Sequence, residues 1–450
     1  MRISYVLIPE IIEAIENKDF KSLKALVQNL HPFDIAEIVE DLEPNKAVLI
    51  LRLLDSEKCS DVLTYLEGDK LEEIIKSFSD KQILELFEEI DDDDKVALFE
   101  ELPPYLVQRI ISILPKEEKE VALKLLNYPE NSCGRIMNTN FVSIEENLNI
   151  FQAIEIIKKS DVSDEALVSI FVVTKEGKLK GHVKITKLLR SDFNIKLFEI
   201  CESIASVSAY DDKETAAKIM KNYDLLVLPV VDKENRILGV ITIDDIVDII
   251  EEEATEDIYR FVGLIDPEAR YFDLSYKEKI LKRLPAIILM VILGNISGFV
   301  LNSYEKIIAH LTILTFFLPN LANTTGIIGS QASAFTIRAI ATGEIERNLK
   351  TFLKLFFKEF STIFIISIII ALGMFIIALF RGDFYIKLAL VVSLTSIASS
   401  IIANTFGFLT PLILRKMNID PAGTDIPLIT TIGDALTYFT YFTLARIILF

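Results

Sequence analysis

Residues that build disulfides, thiolate metal sites and histidine-based catalysis are scarce in this chain. It holds 3 cysteines and 3 histidines among 450 residues, scattered without C-x-x-C or histidine-ligand spacing. This pattern argues against a disulfide framework and against a zinc site. The sequence also lacks a phosphate-binding loop and a recognisable nucleophile–base set, so an enzyme is the least favoured class.

The chain also lacks a recognisable leader, because the apolar run at residues 1–9 is too short for a signal peptide. We therefore expect the part that follows to stay in the cytosol. The net charge is −19 although 51% of the residues are hydrophobic. Most of the acidic excess precedes Pro267, and nearly all long apolar runs follow Leu284. The sequence thus predicts a multidomain membrane protein whose acidic half suits cations and does not suit nucleic acid.

A repeat of twelve residues runs through the N-terminal part. Blocks start at residues 31, 43, 55, 67, 79, 91, 103 and 115, and most open with Asp, Ser or Pro, which cap or start helices. Each block closes on an apolar residue, namely Leu42, Leu54, Leu66, Phe78, Ile90, Leu102, Leu114 or Leu126. Short helices bury such residues by stacking, which predicts an α-helical superhelix over residues 1–130. The aspartates at 91–94 fit a solvated helix start and a metal-binding role equally well.

Strands alternate with helices from about residue 137 to 255. Residues 172–181 match residues 230–239, and each stretch reads as a strand, a polar turn and a second strand. Helices are predicted at 150–159 and 214–223. The pattern resembles a tandem pair of α/β CBS domains, over 137–196 and 197–255.

CBS domains often bind adenine nucleotides through a Thr and an Asp that follow the second strand. Thr242 and Asp245 occupy these places in the second copy. Lys184 and Lys187 occupy them in the first copy, which disfavours a nucleotide there.

An acidic connecting helix is predicted within residues 244–283. On a helix, Glu253, Glu256 and Asp257 share one face, while Asp245, Asp248 and Glu252 share another. Two interpretations stay open: a solvated acidic face, or a cation-binding face next to a membrane domain.

Five apolar spans follow, at about 284–304, 308–337, 355–380, 386–414 and 426–448, within a transmembrane domain of residues 284–450. Basic residues cluster before the first span and in alternate loops, which predicts a multi-pass plasma-membrane protein with a cytosolic N-terminus and an external C-terminus.

The last span carries Asp434, and a charge at this depth usually faces water or a bound cation. A hydrogen-bonded contact with a neighbouring helix is the alternative. Span two is rich in amides and small residues, which suit a pore or close packing. Span four has a Ser/Thr stripe, which predicts a wet face.

The order of these segments resembles the MgtE family of magnesium channels. The motifs that carry the resemblance are LHPFDIA at 30–36, EEATEDI at 252–258, GSQASAFTIRAIATG at 329–343, and DPA at 420–422 followed by TTIGD at 430–434. It implies a homodimer in membrane lipid with Mg²⁺ as the transported ion and a pore on the two-fold axis.

The resemblance also implies which residues bind the ion. Asp434 would hold hydrated Mg²⁺ in the pore, with Asp420 near its cytosolic mouth. Cytosolic Mg²⁺ would close the channel by binding the remaining implied carboxylates in the superhelix, the second CBS copy and the connecting (plug) helix: Asp61, Asp93, Asp212, Glu214, Asp224, Asp245, Glu253, Glu256 and Asp257.

Two departures from the family pattern leave alternatives open. Ile327 stands where the family usually has a pore-lining Asn, and Asp425 and Ile426 stand where it usually has a Ser and often a Gly. Another divalent ion, such as Mn²⁺ or Co²⁺, is therefore one alternative. A membrane-anchored metal or nucleotide sensor that transports nothing is the other, less favoured because an anchor needs no polar residues inside its spans.

Overall fold

Ten short helices open the chain, and eight of them start at intervals of twelve residues, at positions 32, 44, 56, 68, 80, 92, 104 and 116. The helices are α1 (Ile3–Glu16), α2 (Phe20–Gln28), α3 (Pro32–Asp41), α4 (Pro44–Leu51), α5 (Ser56–Thr64), α6 (Gly68–Ser77), α7 (Asp80–Phe87), α8 (Asp92–Glu101), α9 (Pro104–Ile113) and α10 (Lys116–Leu126). The predicted repeat is confirmed, and each of these eight helices begins one residue after the start of its predicted block.

The ends of these helices follow from local chemistry. The Asp55 side chain accepts a hydrogen bond from the Lys58 backbone N–H, and Ser79 forms a capping box with Gln82. Proline occupies the first position of α3, α4 and α9, where its missing N–H costs nothing. The helices α1, α3, α5, α7 and α9 pack one against the next, and α2, α4 and α6 do the same. The block-closing apolar residues Leu42, Leu66 and Phe78 are buried in the core between them.

The structure, a computed structural model, describes residues 3–160, 162–261, 275–341, 344–345, 349–381, 386–417 and 421–449. Its contacts divide the chain into two units, Met1–Glu251 and Glu252–Phe450. The second half of the first unit contains β1 (Ser143–Glu145), α11 (Ile150–Ile157), β2 (Ser169–Val173), β3 (Leu179–Lys184), α12 (Ile185–Arg190), α13 (Leu197–Ile200), β4 (Val207–Ser208), α14 (Lys213–Tyr223), β5 (Val227–Val231), β6 (Ile237–Thr242) and the start of α15 (Ile243–Phe261).

The six strands form two sheets with the same topology, β1-β2-β3 and β4-β5-β6, each with one parallel and one antiparallel pair. Even the turns match: Gly177 and Asn235, at equivalent places in the two copies, both have a positive φ, of 76° and 63°. A left-handed turn residue tolerates Gly best and Asn next. The two hairpins pair with each other through Lys178 and Arg236. The predicted strands, polar turns and helices of the two copies are confirmed.

The second unit is helical. After the end of α15 it contains α16 (Tyr276–Ser303), α17 (Glu305–His310), a 3-10 helix (Thr312–Phe317), α18 (Leu318–Ala341), α19 (Leu349–Arg381), α20 (Ile386–Lys416) and α21 (Pro421–Leu449). Within the described ranges, three helical segments are long and apolar enough to cross a membrane: Lys279–Ser303, Lys350–Phe380 and Ile386–Lys416. The helices α18 and α21 contain 24 and 29 residues and carry the polar groups predicted for spans two and five. A count of five spans stays a prediction.

Two predictions for this unit are wrong. The second span is not one helix over 308–337, because α17 and the 3-10 helix precede α18, whose second residue is Pro319. Proline favours the first turn of a helix and disfavours a continuous one. The Ser/Thr stripe of α20 does not form a wet face either. Its residues, including Ser396, Ser399 and Ser400, are buried, and α20 packs against α18, α19 and α21.

The predicted connecting helix also differs from the structure. Of residues 244–283, the first part belongs to α15 and the last part is the first two turns of α16, so the basic residues Lys277 and Lys279 lie on the same helix as the first apolar span. Residues 262–274 lie outside the described ranges.

Candidate cation sites

A groove whose exposed surface is mainly apolar, with several polar side chains, lies between α18 and α21. Its volume is about 560 Å³, and it is open on one side. The described residues that line it are Ala322, Asn323, Gly326, Ile327, Ser330, Gln331, Ala334, Thr430 and Asp434. The structure thus places Asp434 in a groove that Asn323, Ser330, Gln331 and Thr430 also line. The water-filled path at Asp434 stays a prediction.

Small residues bring the two helices together beneath this groove. The Thr437 hydroxyl donates a hydrogen bond to the Thr325 hydroxyl at 3.2 Å. A Cβ added at Gly329 would lie 2.5 Å from Ile429 Cγ2, so the helices touch there as well. Because residue 325 meets 437 and residue 329 meets 429, α18 and α21 run antiparallel.

The same two contacts between the helices show where the Asp434 carboxylate lies along α21. Asp434 lies between the two contacts along α21, and Gly326 and Ile327 lie between them along α18. A Cβ added at Gly326 would be 3.9 Å from Thr430 Cγ2, so α21 passes close to α18 at this level. Asp434 therefore lies one turn beyond Thr430 on α21, along the same groove that Gly326 and Ile327 line.

The groove offers oxygen ligands and enough room for a hydrated ion. Asn323, Ser330, Gln331, Thr430 and Asp434 supply amide, hydroxyl and carboxylate oxygens. Mg²⁺ prefers six oxygens in octahedral geometry and gives up its waters reluctantly. Six waters at roughly 30 Å³ each occupy about 180 Å³, well below the volume of the groove. The groove suits a cation that keeps its water shell.

A second acidic site lies in the first unit, where the first turn of α8 meets the first turn of α15. Asp93 and Asp94 come from α8, and Asp244 and Asp245 come from α15. The Asp245 carboxylate accepts a hydrogen bond from the Thr242 hydroxyl at 2.7 Å, which fixes its position at the end of β6. Asp93 and Asp245, two of the carboxylates that the resemblance implies, lie close enough for the charge of Asp245, after burial, to raise the pKa of Asp93.

Burial and mutual repulsion shift the titration of this cluster. Burial and then the charges of Asp245, Asp94 and Asp91 raise the pKa of Asp93 well above its usual range. Burial, followed by Asp91 and Asp244, raises the pKa of Asp94 to about 6. Burial also raises the pKa of Asp245 to about 7, despite the opposing hydrogen bond from Thr242. These shifts mean that the folded arrangement disfavours the fully charged state unless protons or cations bind.

Asp61, a predicted site residue on α5, belongs to the margin of this cluster. Burial and the neighbouring charge of Glu57 raise the pKa of Asp61. Asp61 in turn raises the pKa of Asp94. Burial, together with Asp61 and Asp94, also raises the pKa of the Tyr65 phenol beside it.

The sequence did not identify the polar contacts that join α8 to α10 and to residues 135 and 139, which follow α10. The nearly buried Lys95 ammonium lies 3.2 Å from the Glu118 carboxylate and 3.9 Å from that of Asp92. Arg135 Nε donates to Glu100 Oε1 at 2.5 Å, and the Thr139 hydroxyl donates to Asp92. Because their partners lie 23 to 47 residues away, periodicity gave no signal for these pairs.

The other predicted ligands have separate local surroundings. Asp212 caps α14 by accepting from the Glu214 backbone N–H at 2.9 Å, and Glu214 pairs with Lys218 at 2.6 Å. Asp224 ends the same helix in the left-handed conformation, with φ 51°. At about 1.5 Å per residue, the two ends of α14 are more than ~15 Å apart, so one ion does not bridge them.

The last four predicted carboxylates belong to the second unit. Glu253 and Glu256 lie on the second half of α15, partly exposed. The Asp257 side chain and the whole of Asp420 lie outside the described set. Across the described residues, no three His, Cys, Asp or Glu side chains are arranged to hold a metal directly.

Three known protein families match separate parts of this chain. A family described as "Divalent cation transporter" matches residues 318–444, and the "MgtE intracellular N domain" matches residues 30–131. The CBS domain family matches residues 133–194 and 199–252.

Whole-protein relatives agree with these matches. The chain is 31% identical to the magnesium transporter MgtE of Bacillus subtilis over 337 residues, which are 74% of this chain and 73% of the relative. It is 28% identical to the magnesium transporter MgtE of Thermus thermophilus over 347 residues, 77% and 76% of the two chains.

Solved structures resemble the first unit. The cytosolic domain of the Mg²⁺ channel MgtE in complex with ATP is 27% identical with a TM-score of 0.51, covering 54% of this chain and all of that domain. The soluble part of a magnesium transporter, 24% identical, has the same fold with a TM-score of 0.51, covering 56% of this chain and 99% of the other.

Proposed function

Because this chain belongs to the MgtE family of magnesium transporters, we propose that it is a plasma-membrane Mg²⁺ channel that closes when cytosolic Mg²⁺ is abundant. Mg²⁺ passes along the groove between α18 and α21. The observation that carries this proposal is the position of Asp434 in a groove lined by Asn323, Ser330, Gln331 and Thr430. The carboxylate attracts the hydrated ion, and the neutral oxygens contact its water shell without trapping it.

The open side of the groove favours a homodimer. A single copy provides only one wall, and a path for a charged ion needs polar groups all round it. A second copy related by a two-fold axis would supply a second Asp434 and close the path. The orientation in the membrane follows from the basic residues in alternate loops. They indicate that the N-terminal half is cytosolic and that the C-terminus lies outside.

The acidic cluster provides the sensor. At neutral pH its carboxylates repel, by up to about 4 kcal/mol for two unit charges ~4 Å apart before salt screening. Mg²⁺ bound near Asp93, Asp94 and Asp245 turns this repulsion into attraction. The helix α15 begins in this cluster and carries Glu253, Glu256 and Asp257 further along. Because α15 carries both groups of carboxylates, an ion bound at its start favours the closed state of the channel. Further ions at the other predicted carboxylates shift the equilibrium between open and closed states in the same direction.

Uptake by reconstituted protein tests the proposal. The full chain in lipid vesicles should admit Mg²⁺ in proportion to its gradient when Mg²⁺ on the side of the first unit is low. Raising Mg²⁺ on that side should suppress the flux. Vesicles that stay impermeable at low Mg²⁺ would favour a sensor without transport, and flux that ignores internal Mg²⁺ would reject the sensing cluster.

Another divalent ion is the second candidate substrate, favoured by the aliphatic Ile327 among the residues that line the groove. Competition among Mg²⁺, Mn²⁺ and Co²⁺ for uptake decides between them. If Mn²⁺ or Co²⁺ suppresses Mg²⁺ entry at a concentration far below that of Mg²⁺, the physiological ion is not Mg²⁺.

An adenine nucleotide at the second CBS copy is a further part of the proposal. The solved relative that binds ATP supports it, as do Thr242 and Asp245 at the start of α15. In the first copy, Lys187 donates to the Ile200 carbonyl and pairs with Glu202 at 2.6 Å, so its ammonium already has partners. Calorimetric titration with ATP should show one site per chain that Thr242→Val weakens. A titration without heat would exclude the nucleotide.

A further inference from the structure

Three lysines form a row on the first turns of α19. Lys350, Lys354 and Lys358 follow one another at intervals of four residues, so they lie along one side of the helix, and all three are exposed. Within the described part of the chain, none of their ammonium groups has a hydrogen-bond or ion-pair partner. The helix itself does not explain the row, because the start of a helix favours carboxylates and disfavours cations.

The packing of α19 turns this lysine row away from the neighbouring helix. The rings of Phe352 and Phe356 contact that of Phe408 on α20, with centroids 5.8 Å and 5.6 Å apart. Lys354 stands midway between these two phenylalanines in the chain, which puts it on the opposite side of a helix with 3.6 residues per turn. Glu359, the one acidic residue of α19, lies seven residues after Phe352 and therefore on the phenylalanine side. The lysine row is thus a purely basic surface that α20 does not cover.

Exposed apolar side chains run beside the lysine row. Leu353, Phe357 and Phe364 are exposed, and their spacing of four and seven residues keeps them on one side of α19. The helix is long and apolar enough to cross a membrane. These side chains therefore suit the acyl chains of lipids, and the aliphatic stems of the lysines can lie along such a surface with their charged ends directed toward the headgroups.

The length of α19 puts the lysines at the membrane surface. Residues 360–380 include no charged side chain and extend about 30 Å, the thickness of the hydrocarbon core. Lys358, Lys354 and Lys350 lie about 3, 9 and 15 Å beyond the end of this stretch. The headgroup layer adds about 5 to 8 Å on each side. Lys358 therefore lies within this layer, and the other two lie within about one Debye length of it.

We propose that the lysine row of α19 binds the phosphate groups of anionic phospholipids in the inner leaflet. An anionic headgroup complements the row, and each lysine near such a surface strengthens the attraction about fivefold. A second copy of the chain with the same face against this one would instead bring like charges together. The proposal goes beyond ion transport and uses only the proposed orientation, in which this end of α19 faces the cytosol.

A fluorescent reporter beside the row tests the proposal. The chain contains no tryptophan, so Phe357→Trp gives the full chain a single one at an exposed position. The protein is placed in phosphatidylcholine vesicles that contain either brominated phosphatidylglycerol or brominated phosphatidylcholine at the same fraction, because bromine quenches a tryptophan that it touches. The binding constant relative to phosphatidylcholine should be at least about fivefold higher for phosphatidylglycerol.

Matched variants assign this preference to the lysines. Replacement of Lys350, Lys354 and Lys358 by glutamine should abolish it, whereas replacement of all three by arginine should keep it. Lys387→Gln removes an exposed lysine near the start of α20, at the far end of α19, and should also leave the preference unchanged. Thermal unfolding of each purified variant in detergent checks that the fold is retained.

Three results would overturn the proposal. The first is equal quenching by the two brominated lipids, and the second is a preference that survives the loss of all three lysines. The third is an absence of quenching by either lipid, because another protein surface would then cover this face of α19. The measurement involves no Mg²⁺ flux, so failure of the lipid site and failure of the transport function are distinguishable.

Discussion

Asp93 in the first turn of α8 and Asp245 in the first turn of α15 lie close together, and burial followed by the charge of Asp245 raises the pKa of Asp93. Thr242 and burial hold this arrangement in place. Four testable consequences follow from this contact and from the helix packing of the second unit.

Stability without divalent ions should fall as the pH rises. The pKa of Asp94 is about 6 and that of Asp245 about 7, both above the usual value near 3.9. The folded state therefore binds more protons than the unfolded state between about pH 4 and 7. The free energy of unfolding decreases over this range, with the full loss above pH 7.

Circular dichroism of the full chain in detergent with EDTA measures this effect. We expect the Tm of the first unit to be about 4 to 8 °C lower at pH 7.5 than at pH 5, for a loss of about 2 kcal/mol. Mg²⁺ should restore the Tm at pH 7.5 and add little at pH 5, where protons already neutralise the cluster. Equal values at both pH levels in EDTA would contradict the repulsion.

Asp245→Asn should reduce the response to Mg²⁺. The amide removes one repelling charge, which raises the Tm in EDTA at pH 7.5, and it removes one attraction for the ion. The gain in Tm on adding Mg²⁺ should shrink, and the Mg²⁺ concentration for half of the gain should rise. The control is Asp41→Asn, at an exposed position at the end of α3. A response identical in both variants would remove Asp245 from the sensor.

Asp434→Asn should lower Mg²⁺ entry at least about tenfold in vesicles, because the loss of one charge–ion contact costs roughly 1.4 kcal/mol or more in the rate-limiting step. Thr440→Val provides the control on the same helix, since its hydroxyl bonds to the Leu436 carbonyl and does not line the groove. A normal rate of Mg²⁺ entry with the Asp434→Asn variant would show that the ion path does not pass Asp434.

Gly407→Ala should destabilise the second unit. A Cβ at Gly407 would lie 2.1 Å from the Gly329 carbonyl oxygen, so α18 and α20 would have to separate. We expect a loss of roughly 1–3 kcal/mol and a lower thermal midpoint in detergent. Gly373→Ala is the matched control, because a Cβ at Gly373 meets nothing within 4 Å. Similar midpoints for both variants would show that this crossing tolerates a wider spacing.

Features set by neighbouring residues were predictable from sequence. The start of each repeat helix depends on caps and prolines within one turn, and the paired turns at Gly177 and Asn235 depend on one residue each. The break before α18 was not predicted because Thr312–Phe317 is as apolar as a span, and hydropathy does not distinguish a 3-10 helix from an α-helix.

Features set by tertiary packing were not predictable from the residues alone. The hydroxyl residues of α20 and the amide residues of α18 are both polar residues within apolar spans. In the structure, however, the hydroxyls of α20 are buried between helices, whereas the amides of α18 line a groove. The family resemblance implied Asp93 and Asp245 as separate ligands, whereas their proximity follows from the packing of α8 with α15. Nothing in the local sequence identifies the partners of Lys95 and Arg135, which lie on other helices.

The alternate packing of the repeat helices also restricts how this region can change in length. The helices α1, α3, α5, α7 and α9 form one row and α2, α4 and α6 another, α3 contacts α4 and α6 contacts α9 between the rows, and from α3 to α10 each helix begins twelve residues after the last. Loss of a single block would move the helices that follow it from one row to the other, against neighbours that their apolar faces do not match. Loss or duplication of two adjacent blocks would keep every remaining helix in its row. Viable insertions and deletions between α3 and α10 should therefore come in pairs of repeats.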